Sequence, residues 1–352
     1  MDLDDFRFND WIAQWAGTWS ILTISYWGDL YTKKPFLDEI GQCKDHSIIL
    51  WSSSEKSQAF WRASEKQRFG KAVNVLARNP AFMPAMCSKV RDATDRFLAL
   101  EQSLFGKDIT LQQYLKLMNT FLLDYYRYHI INKNAIDYFD DALAKKHFAE
   151  IEATRVYITP VLDRLDKFMI RLAEIHSAKT GYPPNLILSA IRDEFHDYLQ
   201  GKPLPSKDIL KKRHHHTVFL SKNQKTVVLT GSDIYDEAKA LGIRMYRDLK
   251  GLTGFPGKVT GRVRIVHDSR TCIDFRKGDI LVTGMSRPDY LPMMLRAAGF
   301  ITDSGGVLCH AAVTAREMKK PCIVGTGLAT EVLKDGDLVE LDADNGIIRM
   351  IG

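Results

Sequence analysis

The sequence predicts a multidomain protein of α plus α/β class. An N-terminal all-α domain covers residues 1–200, a linker with a short β-hairpin and helix covers 201–250, and a β-rich domain with packed helices covers 251–352. Three observations predict this. Apolar residues keep helix spacing almost without a break from Ser64 to Gln200. The segment Gly201-Lys202-Pro203-Leu204-Pro205 then interrupts the helical pattern. Beyond Gly251, short β-branched runs alternate with short helical ones.

A chain of 352 residues is ample for a buried core, and with 45% apolar and 26% charged residues it has an ordinary globular composition. The net charge of +6 is mild and no basic arm stands out, so nucleic acid is not an expected partner. Five cysteines, Cys43, Cys87, Cys272, Cys309 and Cys322, form no CxxC pair. An odd number without pairing motifs argues for a reducing compartment. The acidic start Met1-Asp2-Leu3-Asp4-Asp5 is unlike a signal peptide, and no apolar run is long enough to span a bilayer. The expectation is a cytoplasmic protein with no membrane partner.

All six tryptophans fall in the first 65 residues. Trp11, Trp15 and Trp19 are four apart, the spacing of one helix face. Their rings either pack helix on helix or form an aromatic wall for an apolar acceptor, with Tyr26 and Tyr31 as further members. Downstream, Thr110 and Gln113 form a capping-box start for the helix carrying Leu111, Leu115 and Met118. Thr159 at the N-cap and Pro160 at the first helical position open another, through Val161, Leu165, Phe168, Leu172 and Ile175, which stops at Gly181-Tyr182-Pro183-Pro184. The cluster Tyr125-Tyr126-Arg127-Tyr128-His129 either lines a pocket or is an ordinary run of core and surface side chains. Thr217–Ser221 and Lys225–Thr230 read as a hairpin, followed by a short helix from Asp233 to Leu241. His214-His215-His216 lacks the spacing of a metal site and reads as surface, so no metal ligands are expected.

In the last domain the strands are Arg262–Val266, Ile280–Thr283, Phe300–Thr302, Cys322–Val324, Leu338–Leu341 and Ile347–Met350, the last two joined by the turn Asp344-Asn345-Gly346. Between them lies Thr302-Asp303-Ser304-Gly305-Gly306-Val307-Leu308-Cys309-His310-Ala311-Ala312, then helical residues to Met318. This reads as strand, Gly-Gly loop, histidine, helix. The glycine pair permits backbone conformations closed to other residues and can lift His310 clear of the fold. A helix starting beside the ring offers free N–H groups and a positive dipole end to an anion. A neutral imidazole is a competent nucleophile near pH 7. The other reading of such a histidine is a solvated cap.

The run from Gly257 to Gly346 resembles the mobile, swivelling phosphohistidine domain of the phosphoenolpyruvate-utilising enzymes. The segments that carry the resemblance are Gly257-Lys258-Val259-Thr260-Gly261, Lys277-Gly278-Asp279-Ile280-Leu281-Val282-Thr283, Pro288-Asp289-Tyr290-Leu291-Pro292-Met293, Thr302-Asp303-Ser304-Gly305-Gly306, Cys309-His310-Ala311-Ala312, Ala315-Arg316-Glu317 and Pro321-Cys322-Ile323-Val324-Gly325. The resemblance implies a swivelling β/β/α fold and makes His310 the residue that becomes phosphorylated. Thr302, Asp303, Gly305, Gly306, Cys309, Ala311 and Arg316 become its phosphate and loop support. Arg316 either meets the phosphate or pairs with a carboxylate such as Asp303. Leu308 stands where many members have Thr, and Met318-Lys319-Lys320 replaces a more apolar stretch.

The chain shows no GxxxxGK[ST] loop and no GxGxxG after a strand, so no nucleotide cradle of its own. The helical-then-swivelling order is similar to part of the rifampicin phosphotransferases without their ATP-grasp domain. That implies a phosphotransferase component served by a separate ATP-grasp protein, with ATP and Mg²⁺ held by that partner. The acceptor would be a small molecule in the helical domain, at Trp11, Trp15, Trp19 and Tyr126. The alternative is a non-catalytic docking or regulatory module. Relay between two sites requires the C-terminal domain to move, and Lys250-Gly251-Leu252-Thr253-Gly254-Phe255-Pro256-Gly257 is the expected hinge.

Overall fold

The computed structural model describes residues 11–17, 19–32, 47–53, 57–222, 225–231, 249–270, 272, 274–327 and 329–351. The chain opens with β1 (Trp11–Gly17), α1 (Ile21–Thr32), β2 (Ser47–Ser53) and β3 (Ser57–Arg62). The helices α2 (Ala63–Ala77), α3 (Phe82–Leu104) and α4 (Leu111–Asn119) follow. A π-helical stretch (Thr120–Tyr126) then leads into α5 (Arg127–Asn134), α6 (Asp141–Ile158) and α7 (Pro160–Thr180). The shorter α8 (Pro184–Ile187), α9 (Arg192–Leu199) and α10 (Lys207–His215) precede β4 (His216–Lys222) and β5 (Lys225–Thr230).

These five strands form one antiparallel sheet in the order β1-β3-β2-β4-β5. The expectation of an all-α N-terminal domain is therefore corrected. Trp11 and Trp15 lie on β1 and not on a helix, and Trp19 lies beyond its end. A spacing of four suits a helix face and is also two strand repeats, so it could not separate the two. One extra residue between Ala13 and Trp15 bulges β1 against β3. The hairpin assigned to the linker is part of this sheet: β4 pairs along the whole of β2, with Ile49 opposite Leu220. Its Phe219 shares one buried cluster with Ile48, Leu50 and Trp61 from the sheet and Phe97, Phe121, Ile151 and Leu165 from the helices. His214 and His215 end α10, and His216 begins β4. The helix expected at Asp233–Leu241 lies outside the described residues.

Local chemistry accounts for the helix ends. Thr110 Oγ1 accepts from Gln113 N–H at 3.3 Å, and Gln113 Oε1 accepts from Thr110 N–H at 2.9 Å, the reciprocal capping box. Thr159 is not a cap. Its backbone is helical and its hydroxyl donates back to Arg155 O at 2.7 Å, so helical backbone continues through it from α6 to α7. Gly181 ends α7 in the left-handed conformation, φ 68°.

The C-terminal part comprises β6 (Leu252–Phe255), β7 (Lys258–Ile265), β8 (Ile280–Thr283), α11 (Leu291–Arg296), β9 (Gly299–Thr302), α12 (His310–Met318), β10 (Cys322–Val324), α13 (Ala329–Val332), β11 (Leu338–Asp342) and β12 (Ile347–Met350). Its seven-stranded sheet runs β12-β11-β7-β8-β9-β10-β6. The centre from β7 to β10 is parallel, with antiparallel strands at both edges. Leu281 and Phe300 face one core with Met294 and Ala312. Ile280, Val282 and Ile301 face the other with Leu333 and Val339. This is the two-residue alternation of strands buried on both sides, which is why they read as unbroken apolar runs. Each such side chain contributes roughly 1.5–3 kcal/mol on burial. The expected hinge at 250–257 is corrected as well: Leu252–Phe255 is the edge strand β6, paired to β10. Its glycines serve close packing, since a Cβ on Gly251 would stand 2.6 Å from Val324 O.

Candidate functional site

His310 is the first residue of α12, directly after β9 and the loop 303–309. The loop is pinned from both ends. Asp303 and Ser304 donate their N–H groups to Thr283 O (3.0 Å) and Gly284 O (2.9 Å). The buried Asp303 carboxylate accepts from Thr326 Oγ1 (3.1 Å), from Thr330 N–H (3.2 Å) and from the Thr330 hydroxyl. Thr302 Oγ1 donates to Ser304 O at 2.8 Å. Thr302 and Asp303 thus hold the loop and do not line the site.

Gly305 has φ 122°, and a Cβ there would come within 2.7 Å of Cys309 Sγ. A Cβ on Gly306 would come within 2.5 Å of the Asp137 carboxylate on the helical side. The two glycines allow the loop to fold tightly on itself and to approach the other domain. Cys309 N–H closes the turn on Gly306 O at 3.0 Å. Burial pushes the Cys309 thiol up, with the Ala312 N–H, Arg155 and the Ala311 N–H opposing it, so Cys309 is a neutral packing residue. Ala311 is buried in the core beneath α12.

The His310 ring is hydrogen-bonded through Nδ1 to Ser286 Oγ at 2.9 Å. Burial pushes its pKa down to about 4; Asp289 opposes the shift and Arg155 adds to it. The imidazole is therefore neutral throughout the physiological range.

His310 opens into a cleft of about 740 Å³ between the two parts of the chain. The C-terminal lip is Met285, Ser286, Arg287, Pro288, Gly305, Cys309 and His310. Trp19 and Trp27 form one wall, edge to face at 5.2 Å between ring centroids. Tyr126 stacks on Trp27 at 5.6 Å and on His129 at 5.5 Å. Tyr126, His129 and Lys133 are spaced along one side of the helix that starts at the π-helical stretch, and Arg155, Ile158, Thr159 and Leu162 along one side of α6–α7. A π turn shifts the register by one residue, and such turns concentrate at functional sites.

Of the expected acceptor residues, Trp19 and Tyr126 line this cleft. Trp11 is fully buried on β1 and does not. Arg316 is turned away from His310. Its guanidinium pairs with Glu152 of α6 at 2.7 Å and donates to Val307 O (2.7 Å) and Gly254 O (3.3 Å). Asp303, the carboxylate expected to pair with it, is occupied by Thr326 and Thr330. Sequence reasoning missed Trp27, Lys133, Arg155, Ser286 and Arg287. The periods 126-129-133 and 155-159-162 were available as signals; nothing in sequence joined them to residue 286. Across the same interface Gln58 Nε2 donates to Gly327 O at 3.2 Å, and Asp166 of α7 pairs with Arg287 at 3.6 Å and Arg270 at 3.8 Å.

Among the described residues, no three His, Cys, Asp or Glu side chains are grouped as metal ligands, and no helix is long and apolar enough to cross a membrane.

Comparison with known proteins places residues 275–346 in the family described as PEP-utilising enzyme, mobile domain. A probable phosphoenolpyruvate synthase of Methanothermobacter thermautotrophicus is 50% identical over 100 residues, covering 28% of this chain and 15% of that protein. The phosphoenolpyruvate synthase of Pyrococcus furiosus is 46% identical over 100 residues, covering 28% of this chain and 12% of its own. The chain thus spans a small fraction of the relatives it matches. Among solved structures, an NMR structure of Enzyme I overlaps 76% of this chain and 78% of its own at 15% identity, with a TM-score of 0.22, below what marks a shared fold.

Proposed function

We propose, from the match of residues 275–346 to the PEP-utilising enzyme mobile domain, that this chain is a phosphotransferase component that works through phosphorylated His310. A separate ATP-grasp protein holds ATP and Mg²⁺ and supplies the phosphoryl group; a small-molecule acceptor in the cleft receives it. One observation carries the reading. His310, on the family domain, faces an aromatic-walled cleft built by the other part of the chain. Such a cleft suits a ligand with an apolar body.

The hydrogen bond to Ser286 supports a division of labour between the ring nitrogens. With Nδ1–H donating to Ser286 Oγ, the Nε2 lone pair is free. In the first half-reaction Nε2 attacks the phosphorus, the P–N bond forms, and the P–O bond to the nucleotide breaks with its electron pair on the leaving oxygen. In the second, an acceptor oxygen attacks the phosphorus and the P–N pair returns to Nε2. The low basicity of the ring keeps Nε2 unprotonated for the first step and makes it a good leaving group for the second.

The test is incubation with the ATP-grasp partner and labelled ATP, beside His310→Asn. The expected result is an acid-labile label on the wild type alone. Equal acid-labile labelling of both proteins overturns the assignment.

A further inference from the structure

Arg155 lies on the face of α6 that lines the cleft. Its half-buried guanidinium donates to two neutral acceptors, Leu308 O at 3.5 Å from Nε and His129 Nδ1 at 3.2 Å. It makes no ion pair with a carboxylate among the described residues. A guanidinium carries five N–H donors and keeps its proton, so Arg155 brings a full charge and spare donors into the cleft. A charge withdrawn from water without a counter-ion is costly, and a site that keeps one is built for an anion.

His129 does not supply that anion. Its Nδ1 accepts from Arg155 and meets the Tyr125 hydroxyl at 3.0 Å, which fixes the neutral tautomer with the proton on Nε2. Asp137 is the carboxylate whose charge acts on Arg155, and Lys66 and Lys133 act on it as well. The other nearby arginines are committed elsewhere: Arg287 to Asp166 and Asp289, Arg316 to Glu152. Leu308, whose carbonyl Arg155 touches, is two residues before His310.

We propose that Arg155 binds the phosphoryl group carried by His310, from the opposite side of the cleft. The inference rests on the phosphohistidine reading above and adds to it the cation that neutralises the group. That cation belongs to the helical part, so the phosphoryl group meets it only when the C-terminal domain is docked there. During transfer an acceptor hydroxyl oxygen attacks phosphorus, the P–N bond breaks with its pair returning to Nε2, and the hydroxyl proton leaves to water. Arg155 is unchanged and offsets charge on the non-bridging oxygens.

Inorganic phosphate is titrated calorimetrically into the wild type, Arg155→Met, Arg155→Lys and His310→Asn. Saturable binding is expected in the wild type and in His310→Asn. Arg155→Met should bind about ten- to a hundredfold more weakly, the worth of a charge-assisted contact. Arg155→Lys keeps the charge without the fork and should fall between, which keeps the test open if the Met variant fails to fold. A variant with a lowered melting temperature but wild-type phosphate binding shows that Arg155 only braces Leu308 and His129, and overturns the proposal. In a second arm, phosphoramidate phosphorylates the protein without any partner. The ³¹P resonance of phosphorylated His310 should move in Arg155→Met; an unmoved resonance again overturns the proposal. Absence of a His310-dependent label in the wild type overturns the phosphohistidine reading and with it the phosphoryl assignment. The phosphate titration still decides in that case whether Arg155 is an anion site.

Discussion

Ser286 Oγ lies 2.9 Å from His310 Nδ1, linking the loop after β8 to the first residue of α12. The serine is buried, so little water competes for the ring nitrogen. The bond fixes the ring's orientation, and in the tautomer with Nδ1–H donating to Ser286 Oγ it leaves Nε2 as the nucleophile. Ser286→Ala removes the acceptor without adding bulk. Loss of one hydrogen bond of about 1 kcal/mol predicts phosphorylation by phosphoramidate slowed about fivefold per folded molecule, with the melting temperature lowered by about 2–4 °C. A labelling rate equal to the wild type would show that the serine does not orient the ring.

The second prediction concerns pH. His310 is pushed down to about 4 by burial, against an unfolded value of about 6.5. The unfolded chain therefore takes up this proton first as the solution is acidified. Stability from the neutral ring is complete above about pH 6.5 and is lost as pH falls toward about 4. In an NMR titration the His310 ring resonances should show a midpoint near 4, and His310→Asn should remove part of the acid sensitivity of unfolding. A midpoint at the ordinary histidine value would mean that the ring is solvated in solution.

How much of this was legible follows from where the determinants sit. The strands of the C-terminal domain, its closing turn and the loop ending at His310 could be read because each is coded locally: buried parallel strands are continuous apolar runs, and the Gly-Gly pair precedes the histidine directly. The N-terminal sheet could not. Trp11 and Trp15 satisfy two periods at once, and β2 meets β4 from some 170 residues away, a pairing no local signal encodes. The cleft was half legible. Tyr126 and Trp19 were named, but as members of a helical wall that has a strand before it. Arg155 and Ser286 matter only because folding brings α6 and the loop after β8 to one place. Arg316 was open between a phosphate and a carboxylate; its side chain takes a carboxylate, but it is Glu152 of α6, which only folding brings within reach.

That geometry gives the third prediction. Arg316 ties Glu152 of α6 to two carbonyls of its own domain, Val307 O and Gly254 O, so its fork holds loop, edge strand and interface together. Lysine at this position keeps one charge and loses the simultaneous contacts. Arg316→Lys should lower stability by about 1–2 kcal/mol, combining a partly exposed ion pair with two carbonyl hydrogen bonds. Labelling of His310 per folded molecule should stay normal. Slower labelling at an unchanged melting temperature would return Arg316 to the phosphate site.

The last prediction is about movement. In the docked arrangement His310 is enclosed by the cleft, with Glu152–Arg316, Asp166–Arg287 and Gln58–Gly327 across the same interface. A small donor can reach the ring there, whereas a protein holding a nucleotide cannot bring its phosphate to a histidine already facing Trp27 and Tyr126. Loading by a protein partner therefore requires the C-terminal domain to leave this position, and a rigid-body rotation does so at the cost of these polar contacts, the Arg155–Leu308 O bond and the burial of Leu308 in the helical core. The expected hinge at 250–257 cannot serve, because Leu252–Phe255 is a strand of the moving sheet. Locking the interface tests the idea. Cysteines are placed at Glu152 and Arg316 in a background without reactive native thiols and joined by a short bis-maleimide. The linked protein should accept phosphate from phosphoramidate but lose labelling by the ATP-grasp partner, while the same variant left unlinked keeps both. If the linked protein is loaded by the partner at the unlinked rate, the domain does not need to move, and the relay has to operate within the docked state.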